Sequence, residues 1–190
     1  KMIKSKISDL DKMKIEEQRI DTKVVFQGRS FFVAADTVRL ANGKEIVRGV
    51  VRHRGAVVVL PLQADGSILA IRQYRHAIGR VIIELPAGTL EAGEEPLLCA
   101  KREIIEETGF EAAEWTPLGV QYPTPGFCDE LQYCYLARGL TPAHSEKDED
   151  ELIEVVGMTV QQIEEGIRTG EIIDAKSISV LMKARLLGLV

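Results

Sequence analysis

Between Gly88 and Phe110 the chain reads GTLEAGEEPLLCAKREIIEETGF, and this stretch limits what the protein can be more than any other. Pro96 suits the first position of a helix, where its missing N–H leaves nothing unsatisfied. Gly109 suits the residue just past a helix end, where the backbone turns left-handed. The spacing therefore predicts a helix opening at Pro96 and closing before Gly109. At 3.6 residues per turn, Leu97, Leu98, Ala100, Ile104 and Ile105 project to one side. Glu103, Glu106 and Glu107, at i, i+3 and i+4, project to the other. One face is expected to pack into a core while the opposite face carries three carboxylates.

Three carboxylates held together repel, and without a counter-ion at least one is pushed toward its protonated state. A hard divalent cation resolves the repulsion; Mg²⁺ prefers oxygen ligands and keeps waters for substrate phosphates. Two such ions can clamp a phosphoryl centre and activate a water nucleophile. Arg102 stands four residues before Glu106 and can pair with it. Most glutamate-rich helices simply present a solvated face. Here Gly88, Glu94, Arg102 and Gly109 also fall at fixed offsets. The pattern is Gly, five residues, Glu, seven residues, Arg-Glu-aliphatic, one residue, Glu-Glu, one residue, Gly-apolar. At background usage of about 5–10% per residue, a match at a given start arises by chance on the order of 10⁻⁹.

The chain of 190 residues is 45% hydrophobic, enough for one good-sized domain, or for one domain and a small extension. A net charge of −5 favours neither nucleic acid nor an anionic membrane as a partner. An acidic protein that binds phosphates must concentrate positive charge locally, in arginines or metal. No apolar run approaches the ~18 residues of a membrane span, and the start lacks the apolar stretch of a signal peptide. Cys99, Cys128 and Cys134 have no metal spacing and read as free thiols of a cytoplasmic protein, Cys134 as core. His53, His76 and His144 have no ligand spacing either.

Residues 1 to about 20 read as a loose lead-in. From Lys23 the pattern turns strand-like, and Asn42-Gly43 between alternating segments signals a hairpin. Residues 20–50 are expected to form a small antiparallel sheet, and the chain to divide at 1–49 and 50–190. GAVVVLPL from Gly55 reads as a buried strand, with SILAIRQYR as its hairpin partner across Ala64-Asp65-Gly66. IIELPAG at 82–88 reads as one strand running into the carboxylate helix, with further strands near 115–122 and 131–138. An acidic loop spans 146–151, and LIEVVGM follows as a strand. Thr159 and Asp174 read as N-caps of two last helices. Strands with helices on both sides make an α/β sandwich with a mixed sheet.

The Gly88–Phe110 pattern is similar at every position to the Nudix box, and the chain resembles Nudix hydrolases over roughly residues 50–190. That resemblance implies a helix–mixed sheet–helix sandwich, with the N-terminal sheet as an addition. It also implies Mg²⁺-dependent hydrolysis, with Mn²⁺ able to substitute, of a nucleoside diphosphate linked to another group. ELPAG (Glu84 to Gly88), RQYR (Arg72 to Arg75), Pro125 fifteen residues past Phe110 and the closing IIDAKSISVL resemble the ADP-ribose pyrophosphatase group. The resemblance implies hydrolysis of ADP-ribose to AMP and ribose 5-phosphate, with GDP-mannose or ADP-sugars as the alternative.

Residue by residue, the likeness makes the carbonyl of Ala87 and the carboxylates of Glu103, Glu106 and Glu107 metal ligands. It makes Arg75 a diphosphate contact, suited by its planar fork. Arg52 and Glu84 become substrate-holding residues, and Gly126 and Phe127 with Pro125 the wall beside the terminal ribose. The acidic loop supplies a general base, Glu151 in preference to Glu149. The group's dimer exchanges N-terminal strands, so the resemblance implies a homodimer in which residues 20–50 serve assembly and enclosure. The tryptophan on which some members stack adenine is missing from the N-terminal sheet; Trp115 lies beyond the box and reads as packing. A non-catalytic ADP-ribose sensor would have lost box glutamates, and none is lost.

Overall fold

The computed structural model describes residues 15–144 and 152–190, and the chain divides into two compact units. One takes in the chain up to His53 together with Thr124–Glu130; the other holds Arg54–Pro123 and Leu131–Val190. The acidic loop at 146–151, with Glu149 and Glu151, lies outside the described residues.

The first unit is a three-stranded antiparallel meander, β1 (Gln18–Gln27), β2 (Phe31–Arg39) and β3 (Glu45–His53). The β2–β3 turn falls at Asn42–Gly43 as the sequence predicts. Gly43 takes φ +82°, and the Asn42 Oδ1 accepts the Lys44 N–H at 3.0 Å. Ala34, Asp36 and Val38 of β2 are buried at period two, whereas β1 is exposed along its whole length. The Thr124–Glu130 segment is laced to β3 by Val51, whose N–H donates to Phe127 O at 2.7 Å and whose carbonyl accepts from Asp129 N at 3.1 Å.

In the second unit, every residue of β4 (Ala56–Pro61) is buried. It lies inside a mixed four-stranded sheet with β7 (Ala87–Thr89), β9 (Gln132–Pro142) and β8 (Phe110–Gln121), in the order β7-β4-β9-β8. The β4–β9 pair is parallel and the others antiparallel. A second sheet runs β10 (Ile153–Thr159), β5 (Ser67–Arg75), β6 (Arg80–Glu84). Helix α1 (Pro96–Thr108) follows β7, and α2 (Val160–Thr169) and α3 (Ala175–Leu186) close the chain. Successive β4 side chains alternate between two cores. Val57 and Val59 pack with Cys99, Ala100 and Ile104 of α1. Val58 and Leu60 pack with Ile163 of α2 and with Val180, Leu181 and Ala184 of α3. Each fully buried aliphatic side chain contributes about 1.5–3 kcal/mol. This is the expected α/β sandwich with a mixed sheet.

The caps are set locally. Thr159 Oγ1 accepts the Gln162 N–H while Gln162 Oε1 accepts the Thr159 N–H, a reciprocal box. Asp174 accepts the Ser177 N–H at 3.0 Å. Trp115 packs edge-on against Tyr135, with ring centroids 6.1 Å apart.

Three expectations are corrected. The strands β4 and β5 are not a hairpin pair: β7 and β9 occupy both edges of β4, and β5 pairs with β6 and β10 instead. An isolated bridge, Leu62↔Ile68, lies between the ends of β4 and β5. Residues 82–88 are not one strand. Pro86 has no N–H to give a ladder, and the chain crosses at Leu85–Pro86 from the β5–β6 sheet to the β4–β7 sheet. Third, Leu97 and Leu98 are exposed, while the buried stripe of α1 runs through Cys99, Ala100, Ile104, Glu107 and Thr108. One of the three carboxylates thus lies on the buried side, not opposite it.

Candidate active site

The crossing at Pro86 puts Glu84 at the end of one sheet and Ala87–Gly88 at the start of the next, and α1 lies alongside. Pro96 opens α1, and Gly109 closes it in a left-handed conformation, φ +75°, with its N–H on Ile105 O. The Arg102 guanidinium gathers three carboxylates. Its Nε and Nη2 donate to the two oxygens of Glu94, each at 3.1 Å, and its Nη1 donates to Glu103 and to Glu106, each at 2.8 Å. These bonds from Arg102 hold the Glu94 carboxyl down at about 2. Glu94 in turn accepts the Glu91 N–H at 2.9 Å, which fastens the loop before the helix. The bonds that Arg102 donates to Glu94, Glu103 and Glu106 raise its pKa well above the ordinary range.

Gly88 is a cradle. A Cβ placed there would come within 2.5 Å of Cδ, Oε1 and Oε2 of Glu103, so only glycine lets that carboxylate lie against the strand. One residue earlier, the Ala87 N–H donates to Glu107 Oε2 at 2.9 Å. Glu107 is 4% exposed, and the Glu103 side chain 12%. Glu106 stands farther out, with 42% of its side chain exposed. The strand β7 is therefore flanked by two largely desolvated carboxylates from one helix, with a third at the rim.

These donors fit a hard divalent cation. They are all oxygens, and they lie where the absent Gly88 side chain leaves room. Among the described residues no three acidic, histidine or cysteine side chains already converge as a finished cage; Glu103 and Glu106 lean on Arg102 instead. Soft ligation is disfavoured. Cys99 lies nearby, but burial, aided by Glu103 and Glu94, pushes its thiol up to about 12, and metals bind the thiolate.

A second group of charges surrounds Glu84, which is 1% exposed. Its Oε1 accepts from Arg75 Nε at 2.7 Å, and its Oε2 takes a short bond from Lys176 Nζ. Lys176 also donates to Asp174 Oδ2 at 2.9 Å, and Asp174 is capped onto Ser177. Burial works against the charge on Arg75, but Glu84, then Glu107 and Asp174, outweigh it and raise its pKa. Only the Nε of Arg75 is engaged among the described residues, and 40% of its side chain is exposed. Arg75, Glu84, Ala87, Glu103, Glu106 and Glu107 thus belong to one unit.

Arg52, Gly126 and Phe127 belong to the other. Arg52 donates to Asp129 Oδ2 at 3.0 Å and makes a short ion pair with Asp36, itself 3% exposed and accepting from Thr22 Oγ1 at 2.8 Å. Phe127 is 58% exposed. The sequence did not point to Asp36, Asp129 or Lys176. Asp36 had a detectable signal, a carboxylate on the buried period of a strand.

The NUDIX domain model matches residues 51–179. An ADP-ribose pyrophosphatase of Bacillus subtilis (strain 168) is 38% identical over 165 residues, covering 86% of this chain and 89% of that one. A methanol dehydrogenase activator of Bacillus methanolicus is 37% identical over the same shares. A GDP-mannose pyrophosphatase of Enterobacter sp. (strain 638) is 35% identical over 148 residues, 73% of this chain and 76% of that one. A crystal structure of an ADP compounds hydrolase superposes with a TM-score of 0.77 at 23% identity, covering 92% of this chain and 97% of that one, a likeness of fold.

Proposed function

This chain belongs to the Nudix family, and from that premise we propose that it is a Mg²⁺-dependent pyrophosphatase that hydrolyses ADP-ribose to AMP and ribose 5-phosphate. The observation that carries the reading is the set of box carboxylates held against β7, with the open edge of Arg75 in the same unit. Ala87 O, Glu103, Glu106 and Glu107 would hold the cation, with Mn²⁺ able to substitute. When bound, the metal neutralises phosphate charge and makes water a better nucleophile.

The chain's own residues do the rest. Glu84 fixes the guanidinium of Arg75 from behind and leaves its outer N–H groups for phosphate oxygens, a pairing that suits a planar fork. The Ala87 N–H and the Gly88 cradle fix where Glu107 and Glu103 point before substrate arrives, so little reorganisation is left for the reaction. From the resemblance to the ADP-ribose pyrophosphatase group we propose substrate contacts for Arg52, Gly126 and Phe127, and Glu151 as the base that accepts a proton from water. Water adds to one phosphorus, the bridging P–O bond breaks, and each half leaves as a phosphate monoester. The Bacillus subtilis relative named for ADP-ribose supports this substrate. The relative named for GDP-mannose makes that nucleotide sugar the second reading.

We assign the exposed sheet of the first unit to a homodimer interface. Val24, Val25, Phe26 and Val47 are each 52–66% exposed there. Among the described residues no helix is long and apolar enough to cross a membrane. The net charge of −5 fits a cytoplasmic enzyme of small anionic substrates rather than a nucleic-acid binder.

The test is turnover of ADP-ribose, GDP-mannose and ADP-glucose side by side with Mg²⁺, with products identified and Glu107→Gln as the inactive control. ADP-ribose should give the highest kcat/KM and yield AMP. A higher kcat/KM on GDP-mannose overturns the substrate, and full activity of Glu107→Gln overturns the site.

A further inference from the structure

Lys176 is a lysine with nowhere to go but inward. Its side chain is 10% exposed, and its ammonium sits between Glu84 and Asp174, whose side chains are 1% and 15% exposed. Burying an ammonium is expensive unless it is paired and hydrogen-bonded, and here both partners are carboxylates. The two oxygens of Glu84 are divided between cations, Oε1 to Arg75 and Oε2 to Lys176. The group is neutral as a whole, Glu84 and Asp174 against Arg75 and Lys176. It is also anchored. Asp174 accepts the Ser177 N–H at 3.0 Å, and Ser177 Oγ accepts the Leu85 N–H at 2.7 Å, tying the start of α3 to the residue after Glu84.

We propose that Lys176 is a positioning residue for substrate binding: by occupying the second oxygen of Glu84 and the carboxylate of Asp174, it keeps Arg75 turned outward with its terminal N–H groups free for a diphosphate. The proposal rests on the reading of Arg75 and Glu84 as substrate-binding residues. Without the ammonium, Glu84 and Asp174 together carry two negative charges against the single charge of Arg75. Asp174 keeps its bonds from Ser177, but Arg75 is then left as the cation that both carboxylates act on, and its outer edge is drawn from solvent toward them. A diphosphate would meet a site one charge more negative and an arginine already engaged. Lys176 touches neither the box carboxylates nor the bond that breaks, so the effect should fall on binding and spare the chemical step.

Lys176→Met keeps the length of the side chain and removes its charge; Lys176→Gln keeps a donor for Glu84 without the charge. Wild type and both variants are assayed on ADP-ribose with Mg²⁺, with circular dichroism and thermal melting to establish folding. The expected result is a KM at least 10-fold higher in each variant with kcat within threefold of wild type. Lys176→Arg, which restores the charge, should bring KM back within threefold. An unchanged KM in a folded variant overturns the proposal, as does a fall in kcat with KM unmoved. If Lys176→Met does not fold, Lys176→Gln decides by the same criterion. If neither folds, Lys176 is a structural residue and the proposal fails. Absence of turnover by the wild-type enzyme would overturn the underlying reading instead, and is seen before any variant is made.

Discussion

Replacing Gly88 with alanine should separate activity from stability. The new Cβ would lie within 2.5 Å of three atoms of the Glu103 carboxyl group, where ordinary contact begins at 3.4 Å. The carboxylate must therefore retreat by about 1 Å or more, and a misplacement of that size costs about 10²-fold in rate. That factor corresponds to about 2.7 kcal/mol of transition-state stabilisation. The fold should barely notice. The clashing atoms are the far end of a flexible side chain, and the Gly88 backbone lies outside the left-handed region, so alanine adopts it without strain. Gly→Ala at a compatible site even adds about 0.4–1 kcal/mol by restricting the unfolded chain. Steady-state turnover of ADP-ribose at saturating Mg²⁺, beside a thermal melt, gives both readouts. Gly88→Ala should keep its Tm within a few degrees and lose about two orders of magnitude in kcat. Wild-type kcat would show that the placement of Glu103 against the strand is irrelevant to the reaction. A collapse of Tm would show that the glycine serves packing.

The depressed Glu94 carboxyl makes a pH-dependent contribution. Its folded value of about 2 lies below the ordinary 4.5, so the stabilisation is full above 4.5 and is lost as pH falls from there toward 2. Glu94→Gln should therefore lower stability by about 1.5–3 kcal/mol at pH 7, the size of a charged hydrogen bond, with the gap closing at pH 2–3; urea midpoints at the two pH values check it, and a constant gap contradicts it. If the first unit's sheet joins two copies, Phe26→Asp should shift the protein from dimer to monomer at micromolar concentration in sedimentation velocity. An unchanged sedimentation coefficient excludes β1 from the interface.

What the sequence disclosed follows the range of the interactions. Helix ends are decided within four residues, and Pro96, Gly109, Thr159 and Asp174 all stand where their local chemistry placed them. Strand partners are decided across the chain. β4 reads as the neighbour of β5, yet its companions are β7 and β9, because a strand buried on both faces and both edges takes whichever partners complete the sheet. Periodicity also misplaced Glu107. It sorts by polarity, and a carboxylate that accepts a buried backbone N–H can sit on the apolar side of its helix. Lys176 stands in IIDAKSISVL, but nothing in that segment marks it as a partner of Glu84: the two are 92 residues apart, and the packing of α3 beside β6 brings them together.

Counting donors separates Arg75 from Arg102, both in the second unit, more sharply than their charges do. A guanidinium has five N–H groups in a fixed plane. Those of Arg102 are taken up at Nε, Nη1 and Nη2 by Glu94, Glu103 and Glu106, with the Thr89 carbonyl at 3.4 Å behind them. Nothing remains to offer a phosphate, so Arg102 acts on the carboxylates and offsets their mutual repulsion; in the proposed metal-bound enzyme a cation would take over that part at Glu103 and Glu106. The grip on Glu94 is bidentate, and Glu94 accepts the Glu91 N–H, which fastens the loop before α1. Arg75 has the opposite allotment, its Nε on a buried carboxylate and 40% of its side chain exposed. Two residues of identical charge in one unit are thus given different work by their acceptors, Arg102 holding the carboxylates of α1 and Arg75 keeping donors that the proposed diphosphate contact would use.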